Sequence, residues 1–274
     1  MTNVPPLVPR TVTEAFGLTG TPVALAGGEG TSVQIGGSVL KPVDDPVEAA
    51  WSAELFSRLK EDGFRLARPL RASNGSWVVD GWAATTLVEG RSGPPGRWSE
   101  LLSAARAFHK AVRGESRPSF LDHRTHRWAL ADRVAWGEAS VEPVGAVALL
   151  LEDLTRLLRP VREQRNQLVH GDLSGNVLFA LGLPPAIIDF SPYWRPATYA
   201  EAITAVDGLL WFDAANEVLH LVRRDSESTQ LLLRAVIFRL VALNEYARVD
   251  PSAVEELPLF RAATAQIGRL GRPV

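Results

Sequence analysis

The chain of 274 residues contains no cysteine. That excludes disulfides and thiolate metal sites, and it fits a reducing compartment. It has no long basic tract, and its formal net charge is -2, so no nucleic-acid partner is expected. The longest apolar runs, such as residues 145–151, fall far short of a membrane span. Residues 1–10 are proline-rich and lack the apolar centre of a signal peptide. No internal repeat or low-complexity tract occurs. What is present is ordinary for a globular protein: 46% hydrophobic and 22% charged residues, in a length that allows two lobes or one large domain. The expectation is a cytoplasmic protein with no membrane partner.

The first third reads as mostly strand. Residues 22–25, 31–35 and 38–41 are strand candidates, and Gly36-Gly37 joins the last two as a tight hairpin. Pro46 opens a helix over 46–61, closed by Gly63. Residues 64–72 and 76–83 are two more strands, joined across Asn74-Gly75. A Gly/Pro cluster at 90–97 then punctuates the chain. Beyond it helical periodicity dominates: 98–112, 125–138, 144–158, 197–222, 227–248 and 252–269, interrupted by two strands around residue 172. The expected division is a β-rich part over 1–84 and a helical part over 85–274.

The most informative stretch is His170-Gly171-Asp172-Leu173-Ser174-Gly175-Asn176. It lies between the apolar runs Leu168-Val169 and Val177-Leu178-Phe179, and Ile187-Ile188-Asp189-Phe190 follows. Taken singly, these are a polar turn and a strand ending in an acid. Together they supply an acid and an amide on one loop and a second acid at a strand end. Asp172 can take a proton from a hydroxyl. Asn176 and Asp189 offer the hard oxygens that Mg²⁺ prefers. This division of labour is that of phosphoryl transfer.

Upstream, Gly28 and Gly30 sit between strand candidates, where backbone N–H groups can approach phosphate without side-chain obstruction. The bland alternative is a simple turn. Lys41 ends an apolar strand, either as a solvated strand end or reaching the phosphates from the sheet. A phosphate-binding lysine is usually held by a glutamate on the next helix. Glu48 shares a face with Leu55 and Leu59, whereas Glu54 shares one with Arg58 and Glu61. Glu48 is therefore preferred, with Glu54 as the alternative. His109 reads as a packing or hydrogen-bonding residue. Asp207, inside an apolar stretch, reads as buried and bonded to the Asp172 loop.

These residues resemble those of the aminoglycoside phosphotransferase / choline kinase family, and the likeness runs from about residue 20 to about 250. Gly28, Gly30, Lys41, Glu48, His170-Gly171-Asp172, Asn176 and Ile187-Ile188-Asp189-Phe190 carry it, with Ala107-Phe108-His109 ending the preceding helix. Residues 39–42, 77–82, 170–179 and 192–196 also look like an uncharacterised actinobacterial group of the family. The resemblance implies an α+β, bilobal, protein-kinase-like fold. A small antiparallel-sheet lobe with one helix would bind nucleotide, and a larger, mainly helical lobe would carry the catalytic loop and acceptor site. ATP would bind in the cleft, with Lys41 contacting the phosphates, Glu48 holding Lys41, and the backbone somewhere in residues 84–88 meeting the adenine. Asp172 would be the catalytic base, with Asn176 and Asp189 as Mg²⁺ ligands. The acceptor would be a hydroxyl-bearing small molecule.

One spacing departs from the family pattern. Asn176 follows Asp172 by four residues where the family usually has five, so the loop must tighten, which Ser174-Gly175 permits. The departure keeps a second reading open: a weakly active or inactive nucleotide-binding protein with a regulatory role. Nucleotidyl transfer is a third. The acids Asp207, Asp213, Glu217, Asp225 and Glu227 have the density of ordinary helix surfaces and do not single out an aminoglycoside acceptor.

Overall fold

The computed structural model describes residues 7–25, 30–161, 166–222 and 225–270. The chain begins with α1 (Arg10–Ala15), β1 (Val23–Ala24), β2 (Val33–Ile35), β3 (Ser38–Pro42) and α2 (Pro46–Arg58). Next come β4 (Arg65–Leu66), β5 (Val78–Val79), β6 (Trp82–Thr86) and β7 (Arg91–Ser92). The middle holds α3 (Trp98–Ala111), α4 (Arg127–Ala135), α5 (Gly145–Leu157), β8 (Gln167–His170), β9 (Val177–Phe179), β10 (Ala186–Ile187) and β11 (Pro192–Arg195). The chain ends with α6 (Ala197–Trp211), α7 (Ala215–Val218), α8 (Ser226–Ala247) and α9 (Leu257–Leu270). It divides into two compact units: Met1–Gly93 with Gly175–Phe190, and Pro94–Ser174 with Ser191–Val274.

The first unit is built on a five-stranded antiparallel sheet of order β1-β2-β3-β6-β5. The expected hairpin forms at Gly36-Gly37: Ile35 faces Ser38 in the register, and Gly36 has a φ of 56°, which glycine adopts without strain. Along β3 side chains alternate, with Ser38 and Leu40 buried and Val39 and Lys41 half-buried. Leu40 joins Val33, Ile35, Trp82 and Ala84 in the core. Val12 and Phe16 join them from α1 and its C-cap, a helix the sequence reading did not anticipate.

Two elements of this unit differ from the sequence expectation. The turn joining the last two strands of this sheet is Asp80-Gly81, not Asn74-Gly75. Both its residues have positive φ, 48° and 76°, the geometry a two-residue hairpin requires. Asn74-Gly75 instead closes a local turn, with Gly75 N–H donating to Ala72 O at 2.8 Å. Helix α2 starts where expected, because Asp45 Oδ1 accepts the Val47 and Glu48 N–H groups at 2.8 and 3.2 Å. It ends sooner, at Arg58, because Leu59 turns to an extended conformation.

A second sheet, β4-β10-β9-β7, explains why residues 175–190 belong to the first unit rather than to the helical part beyond residue 84. β10 runs parallel to β4, with Ala186 opposite Arg65, and β9 runs antiparallel to β7, with Phe179 opposite Arg91. Gly90 makes this approach possible: a Cβ there would lie 2.9 Å from Leu178 Cβ.

The second unit is mainly helical. α8 is buried on nearly every face from Leu231 to Asn244, which makes it the central helix of this unit. Around it Trp98, Tyr199, Phe238 and Phe260 form part of one continuous core. In α6 a Cβ on Gly208 would lie 2.8 Å from Val218 Cγ1, so glycine lets these elements pack closely. The helix expected over 197–222 breaks after Trp211, where Asp213 has a φ of 47°. β8 and β11 form a two-stranded antiparallel ribbon that sets Pro192 opposite His170. Among the described residues, no helix is long and apolar enough to cross a membrane.

Candidate active site

In the first unit, β9 and β10 pair with Val177 opposite Ile187, and Ile188 N–H donates to Asn176 O at 3.0 Å. Asn176 and Asp189 therefore flank the same open end of one hairpin. Asp189 has a φ of 46°, a left-handed conformation that aspartate tolerates better than most residues. Its neighbour Phe190 is anchored on α2, ring to ring with Phe56 at 5.2 Å.

Lys41 Nζ lies 2.9 Å from Asp189 Oδ1, and both side chains remain partly open to solvent. Two residues far apart in sequence, read separately as a phosphate ligand and a metal ligand, thus meet. Glu48 sits in the first turn of α2. Glu54 is engaged elsewhere: its Oε2 accepts from Arg71 Nη2 at 2.8 Å and from Trp77 Nε1 at 3.0 Å. Gly30, with a φ of 70°, leads into β2, while Gly28 lies outside the described residues.

Among the described residues no group of three or more His, Asp or Glu forms a metal cage. The donors at the hairpin end are one amide and one carboxylate. That set suits Mg²⁺, which usually takes one or two protein oxygens and completes its shell with phosphates and water.

In the second unit, a relay of backbone bonds shapes the loop before Asp172. His109, near the end of α3, accepts the His170 N–H on Nε2 at 3.1 Å. His170 in turn accepts the Asp172 N–H on Nδ1 at 3.1 Å. Both rings act as acceptors and so are neutral in this arrangement. Burial, and then the neighbouring His170, push the His109 pKa down to about 3. Gly171 donates its N–H to Ser191 O at 2.9 Å, and a Cβ at this position would overlap the Tyr193 ring. Only glycine fits there.

Asp172 Oδ1 accepts from Arg239 Nη2 at 2.8 Å. Arg239 also donates to both oxygens of Asp207, from Nε and Nη2, each at 2.7 Å. Ser174 Oγ closes the network on Asp207 Oδ2 at 2.7 Å. Asp207 is thus buried and bonded to the Asp172 loop, as its apolar surroundings in the sequence suggest. The side chains of Arg239 and Asp207 are 3% and 1% exposed, whereas that of Asp172 is 45% exposed. Burial works against the Arg239 charge, but Asp207 and Asp172 outweigh it and raise its pKa. Burial likewise pushes the Asp207 pKa up, with Arg239 holding it back.

Arg239 was not among the expected site residues. A signal for it existed: it interrupts the apolar stretch from Ala235 to Leu243, where a charge must find partners.

The model of the phosphotransferase enzyme family matches residues 38–236. None of the curated proteins matches the chain. Among solved structures, the chain is similar to spectinomycin phosphotransferase, APH(9)-Ia, in complex with ADP and spectinomycin. The identity is 14%, covering 97% of this chain and 99% of that one, with a TM-score of 0.56. A thermostable mutant of aminoglycoside phosphotransferase APH(4)-Ia, with AMP-PNP and hygromycin B, is 16% identical over 97% and 99% of the two chains, with a TM-score of 0.58. Amicoumacin kinase hAmiN, in complex with AMP-PNP, Ca²⁺ and Ami, is 12% identical over 93% and 92%, with a TM-score of 0.56. These likenesses identify the fold as protein-kinase-like, with an antiparallel-sheet N-terminal part and a mainly helical C-terminal part. Because the family model spans most of the chain, the protein belongs to the phosphotransferase enzyme family.

Proposed function

We propose that the protein transfers the γ-phosphoryl group of ATP to a hydroxyl of a small molecule, with Mg²⁺ as the required metal. The observation that carries this reading is the 2.9 Å pairing of Lys41 with Asp189, at the hairpin end that also bears Asn176. A cation for phosphate and hard oxygens for a metal are what this transfer needs, since its catalysis is mostly positioning and charge neutralisation.

In this reading Lys41 contacts the phosphates, Glu48 steadies Lys41, and Gly28 and Gly30 let backbone N–H groups approach the phosphates without side-chain obstruction. The backbone of residues 84–88 meets the adenine. Asn176 and Asp189 hold the metal, which when bound neutralises phosphate charge. Asp172 orients the acceptor hydroxyl and accepts its proton as the oxygen bonds to the γ-phosphorus. The bond to the β–γ bridging oxygen breaks, and ADP leaves.

The test is ATP consumption with Mg²⁺ over a library of metabolites and antibiotics, comparing wild type with Asp172→Ala and Asp189→Ala. Acceptor-dependent turnover lost in both variants is the expected result. Tight ATP binding without turnover for any acceptor would replace the enzyme by a nucleotide-binding regulator. A product carrying AMP, with pyrophosphate released, would replace phosphoryl by nucleotidyl transfer.

A further inference from the structure

The second unit contains a cavity of about 310 Å³ between the turn at Ser119–Asp122, α4 and β11. Its lining includes four arginines, Arg117, Arg124, Arg133 and Arg195, against three carboxylates. Those carboxylates are occupied. Asp132 and Glu138 are gripped by the single guanidinium of Arg195, whose Nη2 lies 2.7 Å from an oxygen of each. Asp122 is held by Arg117 through a bidentate pair at 2.6 and 2.9 Å.

The donors are differently placed. Arg133 Nη1 donates to the carbonyl of Arg124 at 3.0 Å, and no carboxylate of the described residues lies within ion-pair distance of the Arg133 guanidinium. An arginine carries five N–H groups in a fixed fork, so donors remain for a ligand. Tyr193 also lines the cavity, is only 8% exposed, and its hydroxyl has no hydrogen-bond partner among the described residues. Burial pushes its pKa up, so it stays a neutral O–H donor.

We propose that this cavity binds a small molecule through an oxyanion group, a carboxylate or a phosphate, met by Arg133 and the Tyr193 hydroxyl. A polyamine finds no unoccupied carboxylate among these three, whereas an anion finds donors. The cavity also adjoins the Asp172 loop, because Tyr193 packs on Gly171. On the phosphotransferase reading, on which this role rests, the cavity takes the charged end of the hydroxyl-bearing acceptor, whose class is then acidic rather than polycationic.

The test is calorimetric titration of the full chain with inorganic phosphate and, separately, with acetate, in the absence of nucleotide. Saturable binding of at least one is expected. Arg133→Gln should weaken it about tenfold, the loss of one charge-assisted contact. Tyr193→Phe, which keeps the ring against Gly171, should weaken it severalfold and serves if Arg133→Gln does not fold. Lys41→Ala should leave it unchanged, which separates this cavity from a phosphate site at Lys41. Whichever of the two anions binds more tightly names the source of the oxyanion. No saturable binding of either, unchanged affinity in the cavity variants, or loss only in Lys41→Ala would overturn the proposal. Because no turnover is measured, anion binding can stand if the phosphotransferase reading fails. Conversely, turnover in a protein without this binding would leave the function and remove the site.

Discussion

Asp172 and Arg239, 67 positions apart, are joined by a 2.8 Å hydrogen bond whose donor is almost entirely buried. The same guanidinium holds both oxygens of Asp207 on α6. One planar fork on α8 therefore ties the loop to a second helix, a geometry that a lysine, with its point charge, cannot reproduce. Asp172 keeps a half-exposed carboxylate in a fixed place, and the loop that carries it is held from both sides: by Arg239 at the side chain and by His170 at the backbone.

Removing that fork leaves Asp207 buried and short of its main partner, with burial pushing it to take up a proton. Arg239→Met is expected to cost about 3–5 kcal/mol of folding stability, the usual penalty for breaking a buried pair. Arg239→Lys should cost less, because the charge remains while the two-oxygen grip is lost. Urea denaturation of both variants measures this, with turnover and ATP affinity measured alongside. Turnover should fall in Arg239→Lys with ATP affinity retained. A loss under about 1 kcal/mol in Arg239→Met would mean that the network contributes little to folding.

The pair of Lys41 with Asp189 is of a different kind. Both side chains are partly solvated, so water and salt screen the attraction. Lys41→Met should change stability by less than about 1 kcal/mol. If Lys41 contacts phosphate, the same change should weaken ATP binding about tenfold or more, the worth of a charged hydrogen bond. Thermal unfolding and nucleotide titration separate the two effects. A clear loss of stability with ATP affinity unchanged would make the pair a structural link instead.

Local signals carried most of the fold. Gly36-Gly37 forms its hairpin, Asp45-Pro46 starts α2, and the amphipathic stretch from Trp98 forms α3, since each depends on neighbours in sequence. Asp80-Gly81 was as strong a turn signal as Asn74-Gly75. The two compete over one segment, and only pairing with β3 decides between them. The transfer of residues 175–190 to the first unit rests on pairings of β9 and β10 with β7 and β4, which periodicity does not encode. The same limit applies at the candidate site. Residue types and spacing picked out Lys41, Asp172, Asn176 and Asp189. The Lys41–Asp189 pair and the Arg239 fork are contacts between distant segments, invisible until the chain is folded.

His109 offers a test through pH. Its pKa is about 3 in the folded protein, against an ordinary value of 6.5, chiefly because burial penalises the charged ring. Between those values the unfolded chain binds a proton that folded His109 refuses. Stability from this group is therefore fully present above about pH 6.5, and it is lost as the pH falls toward 3, by up to about 1.4 kcal/mol per unit. The raised pKa of Asp207 acts in the opposite sense, since its folded form holds a proton more readily above the ordinary 3.8. Comparing wild type with His109→Gln cancels that contribution. The amide can still accept the His170 N–H but does not titrate. At about pH 8 wild type should be the more stable, by roughly 1 kcal/mol for the better-fitted hydrogen bond. As the pH is lowered through 6 that advantage should shrink and then reverse, and urea denaturation from about pH 8 to about pH 4.5 follows the crossing. A difference that stays constant over that range would show that His109 is not held neutral by the fold.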